Sequence, residues 1–287
     1  MKVNLPLSFK DPDGFIFYKD NQLFRQINSS YKENYNLLIK SGLYDELVKK
    51  KYLIPHKEID SSKIIKPEPI PFISYPYEWS FSQLKDAALL TLEIMKIALK
   101  YNMILKDATS FNIQFLKGKP IFIDTLSFEK YTDGRPWVAY RQFCEQFLGP
   151  LALSVYTDIR LNHLLKSYLG SIPLDLAVKL LPLKARLNPS LLMHLFLHAK
   201  AQSGKISSKK NSPSLSKQAL INIIDNLEST ICNFSWKLPE TLWKNYQDNN
   251  PSYSFESLRQ KEETVTEFLK EIKPKYCAAS KRLSHGS

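Results

Sequence analysis

Between Ser80 and about Tyr101 the sequence predicts a helix with almost no solvent-facing side, and such a helix must sit inside a larger fold. Ser80 and Gln83 make a capping-box pair at its start. Asp86, Glu93, Lys96 and Lys100 fall on one narrow face, while Leu89, Leu90, Leu92, Ile94, Ile97 and Leu99 fill most of the rest. A central pillar of this kind needs partners nearly all round. The 287 residues can supply them, being enough for one sizeable domain with appendages.

The partners divide into two kinds. Before the pillar, Gly14 to Lys19 (GFIFYK) and Gln22 to Ile27 (QLFRQI) are β-prone runs joined by Asp20-Asn21, which predicts a hairpin. Ser29 or Ser30 can cap a helix carrying Tyr31, Tyr35, Leu38 and Ile39 and stopping near Ser41-Gly42; a second short helix is expected over Leu43 to Lys51. Pro55, Pro67, Pro69, Pro71 and Pro76 forbid a long helix in the next stretch, where Ile64-Ile65 and Ile70 to Ile73 suggest short extended pieces. After the pillar come LKDATSFN, a β-prone run from Ile113 to Leu116, a Lys117-Gly118 turn and Pro120 to Ile123 ending in Asp124. From Trp137 to Lys200 the pattern is helical, with helices expected over Arg141 to Thr157 and Leu161 to Tyr168 and another opened by Pro173. Gln202 to Lys217 is Ser- and Lys-rich without apolar periodicity and is expected to be a flexible linker. Helices are expected again at about Lys217 to Cys232 and Phe255 to Ile272, flanking an aromatic segment with Trp236, Trp243, Tyr246 and Tyr253.

The chemistry is concentrated between the pillar and the second hairpin. Phosphoryl transfer asks a protein for groups that hold magnesium, a carboxylate to take the acceptor's proton, and a cation on the phosphates. Protein kinases deliver these in a fixed order: a helix, a loop with an Asp, an Asn five positions on, and a hairpin that returns a second Asp. Asp107, Asn112 and Asp124 stand in that order. Asp107 is the candidate general base, and Asn112 and Asp124 are the candidate magnesium ligands. Arg25 and Glu33 are the candidates for the phosphate cation and its partner, with Lys19 as an alternative cation. The competing reading makes Asp107 and Asn112 turn caps and Asp124 a strand terminator. Lys106 replaces the usual Arg, Thr125-Leu126-Ser127 replaces Phe-Gly, and Gly14 alone stands for a Gly-rich loop. Tyr75 to Trp79 (YPYEW) precedes the pillar where a kinase places its adenine-contacting hinge, with plain aromatic packing as the alternative. His194 and His198 are expected to be packed or surface residues, and Trp137 to Leu153 core.

The expected fold is therefore α+β and protein-kinase-like: a small β-containing N-lobe over residues 1–78 and an α-rich C-lobe over 79–201 with the catalytic-loop-like hairpin. A linker over 202–217 and a helical extension with a frayed end over 218–287 complete it. ATP and magnesium are the expected ligands. The formal charge of +12 favours polyanionic partners, but most of it is scattered lysine, and a nucleic-acid partner is not expected. Cys144, Cys232 and Cys277 are odd in number, far apart and outside any Cys-x-x-Cys pattern, which argues against a disulfide framework or a zinc site. With no apolar stretch long enough for a bilayer, a cytoplasmic location and no membrane partner are expected.

The segments YPYEWSFSQLKDAALLTLEI, LKDATSFNIQF, KPIFIDTLSFE and PWVAYRQFCEQFLGPLAL resemble the N-terminal region of bacterial two-part proteins described as SAM-dependent methyltransferases, a group that includes nodulation-related proteins. The resemblance runs to the helix near Ile272. It implies a following Rossmann-like methyltransferase domain with a Gly-rich cofactor turn. Beyond Lys273-Pro274-Lys275-Tyr276 the sequence reads CAASKRLSHGS, with no such turn, so SAM is not expected to bind this chain alone. A truncated product or a stand-alone front domain is expected, and a methyltransferase domain or protein is the partner the resemblance implies. A non-catalytic, pseudokinase-like accessory module is the alternative function.

Overall fold

The computed structural model describes residues 3–4, 11–60, 63–202, 214–236 and 254–274. The described residues up to Trp236 belong to one compact unit, and those of 254–274 to another.

The first unit is mixed α+β. Strands β1 (Val3–Asn4), β2 (Gly14–Lys19), β3 (Gln22–Ile27), β4 (His56–Asp60) and β5 (Ile64–Pro67) form an antiparallel sheet in the order β1-β2-β3-β5-β4. The β2–β3 hairpin forms where the sequence predicts it, and its turn residues Asp20 and Asn21 both take positive φ, 50° and 57°. Two positive φ values in a two-residue loop match the right-handed twist of the strands. Helices α1 (Lys32–Lys40) and α2 (Leu43–Lys49) follow β3, separated by Gly42 at φ 86°.

The extended pieces expected at Ile64-Ile65 and Ile70 to Ile73 are only half realised. Ile64 and Ile65 lie on β5, but the strand that pairs with β5 on its outer side is β4, upstream, and residues 70–73 leave the sheet with Phe72 75% exposed. Pro67, Pro69 and Pro71 explain this, since a proline has no N–H for a ladder and ends it.

The pillar is α3 (Phe81–Lys100), opened by the Ser80–Gln83 capping box. Leu84, Ala88, Leu92, Met95 and Leu99 are among its many buried residues, and the main core is assembled around it. Beyond it run β6 (Met103–Leu105), the hairpin β7 (Ile113–Leu116) and β8 (Lys119–Phe122), and β9 (Phe128–Lys130), which pairs with β6. The segment between α2 and β4 is stitched to this hairpin, with Ile54 N–H donating to Phe122 O at 2.8 Å and Phe122 N–H to Tyr52 O at 2.8 Å.

The helical part comprises α4 (Tyr140–Phe143), α5 (Gly149–Tyr156), α6 (Leu164–Ser167), α7 (Leu174–Leu180), α8 (Pro189–Leu191), α9 (His198–Gln202) and α10 (Lys217–Cys232). The helix expected over Arg141 to Thr157 is interrupted by a π-helical run, Cys144–Leu148, between α4 and α5. Pro150 accounts for it: without an N–H it cannot bond to the carbonyl four residues back, and the ladder widens there.

Helix α10 packs on α3 through Leu220, Ile224, Leu227 and Ile231, all buried. Lys96, on the pillar's polar face, meets Asp225 and Glu228 at 2.6 Å each. Lys85 Nζ takes the carbonyls of Cys232 and Phe234 at 2.7 and 2.8 Å, closing the helix C-terminus. Of the linker the sequence suggests over 202–217, residues 203–213 lie outside the described ones, as do Trp243, Tyr246 and Tyr253 of the aromatic segment. In the second unit, α11 (Phe255–Ile272) is a helix with every described side chain exposed.

Candidate functional site

The loop after β6 and the end of β8 meet because the β7–β8 hairpin folds them together. Lys117 and Gly118 take φ values of 54° and 76° at its tip, and at its base Ile123 N–H donates to Asn112 O at 2.8 Å. Asn112 and Asp124 therefore face each other across the hairpin's open end. Ser127 joins them: its Oγ accepts from Asn112 Nδ2 at 3.1 Å and donates to Asp124 Oδ2 at 2.8 Å. Asp124 also caps the short turn Thr125–Ser127, with Oδ1 accepting from Leu126 N–H at 3.0 Å.

Asp107 sits beside this pair. Its Oδ1 accepts from Thr109 N–H at 3.1 Å, and the side chains of Gln142 and Asn112 lie near enough to favour its charged form. Burial pushes the Asp107 carboxyl above the ordinary aspartate value and the charge of Asp124 adds to the rise, against the pull of those groups. The loop is held from below by Ala108 N–H on Gln142 Oε1 at 2.7 Å and Ser110 Oγ on Gln146 Oε1 at 2.5 Å. Both glutamines lie on the α4 to α5 run, so the helical part fixes the loop's height.

Arg25 reaches the site from β3. Its Nη1 is ion-paired with Asp124 Oδ1, and its Nη2 lies 3.1 Å from Asp11 Oδ2. Glu33 is exposed on α1; the ion-pair partners of Arg25 among the described residues are Asp11 and Asp124, and Glu33 is not brought to the site. The partner suggested for Arg25 is thus replaced by Asp11 and Asp124, which take both of its terminal nitrogens. Lys19, the alternative cation, is at the exposed far end of β2.

Besides Ser127, three participants were not singled out from the sequence. Lys106 Nζ is ion-paired with Asp13 Oδ2 and lies 4.9 Å from the Tyr31 ring centroid. Lys106, noted in the sequence only as a departure from Arg, was the available signal; Asp11 and Asp13 carried none. Leu126, next to the capping carboxylate, packs with Ile27, Tyr31, Tyr35 and Ile65, so the sheet, α1 and the Asp124 loop share one small core. Among the described residues no group of three or more His, Cys, Asp or Glu is gathered as a metal cage. His194 is a packed histidine, with Nδ1 2.6 Å from Tyr140 Oη and Nε2 2.9 Å from Asn226 Oδ1. His198 stacks on the Tyr140 ring.

Fold and site together define a mixed α+β protein with a small antiparallel sheet, many helices and a cluster of carboxylates, amides and two cations where the sheet meets the second hairpin. The chain is 31% identical over 285 residues to the nodulation protein NoeA of Rhizobium meliloti (strain 1021), an alignment covering 93% of this chain and 59% of NoeA. The similarity runs over nearly all of this chain, which spans about three fifths of NoeA's length. No family model matches the chain. Among the described residues no helix is long and apolar enough to cross a membrane.

Proposed function

We propose that this chain is a kinase-like nucleotide- and magnesium-binding module that transfers phosphate from ATP to a hydroxyl acceptor, within a methyltransferase-associated group. The observation that carries the reading is the meeting of Asn112 and Asp124 on Ser127, with Asp107 near enough to both to feel the charge of Asp124 and the amide of Asn112. Arg25, on the strand before α1 and paired with Asp124, would take the part of a kinase's phosphate lysine. The two-lobed kinase arrangement is part of the same proposal, with the five-stranded sheet as the smaller lobe.

The donor set suits magnesium, which takes one or two protein ligands and fills its shell with water and phosphate oxygen. Asp124 would give a carboxylate oxygen. Asn112 would give Oδ1, which is not spent on its bond to Ser127, made through Nδ2. Magnesium, when bound, supplies positive charge to the phosphate oxygens. Asp107 then accepts the acceptor's proton, a task eased by a carboxyl raised above its usual range. Arg25, released from Asp124, provides a planar fork for phosphate oxygens.

A second reading, a non-catalytic accessory module for a methyltransferase partner, is favoured by one observation: Arg25 and Lys106 are both already paired with carboxylates of the chain itself. Transfer of label from γ-labelled ATP to a panel of hydroxyl acceptors separates the two. The phosphotransfer reading expects transfer that Asp107→Asn abolishes; no transfer to any acceptor, with ATP bound, supports the accessory module.

A further inference from the structure

The residues ahead of β2 fold into a turn, Asp11-Pro12-Asp13, that is built into the site. Asp13 N–H donates to Asp11 Oδ1 at 2.9 Å. The Pro12 carbonyl accepts from Asn28 Nδ2 at 2.8 Å and Ser30 Oγ at 2.9 Å, and Asn28 N–H donates to Asp13 O at 2.9 Å. The next residue, Gly14, passes so close to its neighbours that a Cβ there would lie 2.2 Å from the Gln26 carbonyl oxygen and 2.8 Å from Leu126 Cδ2. Only glycine lets the turn come this near.

Each aspartate of the turn meets a different cation. Asp11 Oδ2 is 3.1 Å from Arg25 Nη2, and Asp13 Oδ2 is ion-paired with Lys106 Nζ. The cations come from separate parts of the fold, β3 and the loop after β6, yet both face one turn. Their side chains are only 13% and 22% exposed, so leaving either without a counter-charge would be costly. Arg25 Nε is buried without a hydrogen-bond partner, a donor that the aspartates do not satisfy.

We infer that Arg25 and Lys106 together form a binding site for a phosphate chain, and that the Asp11–Asp13 turn holds this site self-occupied until such an anion displaces it. The inference takes its location from the phosphotransfer reading but requires no transfer. A polyphosphate offers more acceptor oxygens than two carboxylates, including one for Arg25 Nε. While the turn is in place, its charges oppose an incoming anion.

Calorimetric titration of the full-length chain with sodium tripolyphosphate, free of metal, tests this. The isosteric double variant Asp11→Asn/Asp13→Asn keeps the Oδ1 acceptor of the turn and removes both charges. It is expected to bind at least about tenfold tighter than the unaltered chain. Adding Lys106→Gln to that variant should cancel most of the gain. Metal-free ATP should follow the same order if the phosphate chain belongs to a nucleotide; tightening for tripolyphosphate alone assigns the site to inorganic polyphosphate. A double variant that binds no tighter, a gain indifferent to Lys106→Gln, or no binding by any variant overturns the inference. Should the double variant melt early, Asp13→Asn alone carries the comparison with Lys106→Gln. Tripolyphosphate binding as expected with no magnesium-ATP transfer would sink the phosphotransfer reading and leave this one standing.

Discussion

Nη1 of Arg25 is ion-paired with Oδ1 of Asp124, tying the third strand of the sheet to the end of a hairpin that grows out of the helical core. The same carboxylate caps its own turn and holds Ser127. Asp124 therefore couples the two parts of the unit as well as forming the proposed metal site, and its substitution should touch both stability and ligand binding.

Asp107 should show opposed effects on stability and activity. Its folded-state pKa is raised by burial first and by Asp124 second, so the folded chain holds this proton more tightly than the unfolded one. Such a group weakens the fold as pH rises through the window between its unfolded and folded values. Asp107→Asn removes the charge and keeps an oxygen for Thr109 N–H. It is expected to raise the melting temperature at pH 7 while abolishing phosphate transfer, and calorimetric melts beside the transfer assay read both. Carbon-13 NMR titration of Asp124→Asn should find the Asp107 value lowered.

His56 should make the sheet acid-sensitive. Burial lowers its pKa to about 4, against the pull of Glu58. The Tyr35 hydroxyl donates to Glu58 Oε1 at 2.7 Å, so His56 Nε2, 2.9 Å from the same hydroxyl, must carry the ring proton, and Nδ1 is buried without a partner. Protonation would force an N–H into that position. A folded value below the unfolded one means that stability is lost as pH falls from the usual histidine range towards 4. Urea midpoints should drop between pH 7 and pH 4.5, and the His56 share of that drop should vanish in His56→Gln.

Helix α10 should behave as part of the first unit. Ile224 is fully buried against the pillar, and Ile224→Ala is expected to cost about 2–4 kcal/mol in urea unfolding. A chain ending at Trp236 should retain a cooperative melt, whereas one ending at residue 201 exposes Leu220's, Ile224's and Ile231's former partners on α3 and should melt earlier or aggregate. Equal melting of the two shortened chains would contradict this packing.

Much of the fold was legible because it is local. The Asp20-Asn21 and Lys117-Gly118 turns, the Ser80–Gln83 box and the apolar girdle of α3 each declare themselves within a few residues, and all appear where the spacing predicts them. The approach of Asn112 to Asp124 follows from the second hairpin in the same way. Contacts without periodicity were not legible. Asp11 finds Arg25 across 14 positions and Asp13 finds Lys106 across 93, and neither pairing leaves a pattern in sequence. Glu33 was the candidate partner because it lies on the helix that follows Arg25's strand, but Arg25 meets Asp11 and Asp124. The register of β4 with β5 depends on which segment fills the sheet edge, and the prolines after Ile65 rule on that only once the sheet exists.

The central claim, that Asp124 and its neighbours bind a magnesium nucleotide, is tested most directly by isothermal titration of the full-length chain with ATP, with and without magnesium, beside Asp124→Ala. Magnesium-dependent binding by the unaltered chain that is lost in Asp124→Ala is the predicted result. No binding by the unaltered chain, or binding that Asp124→Ala leaves unchanged, would contradict it.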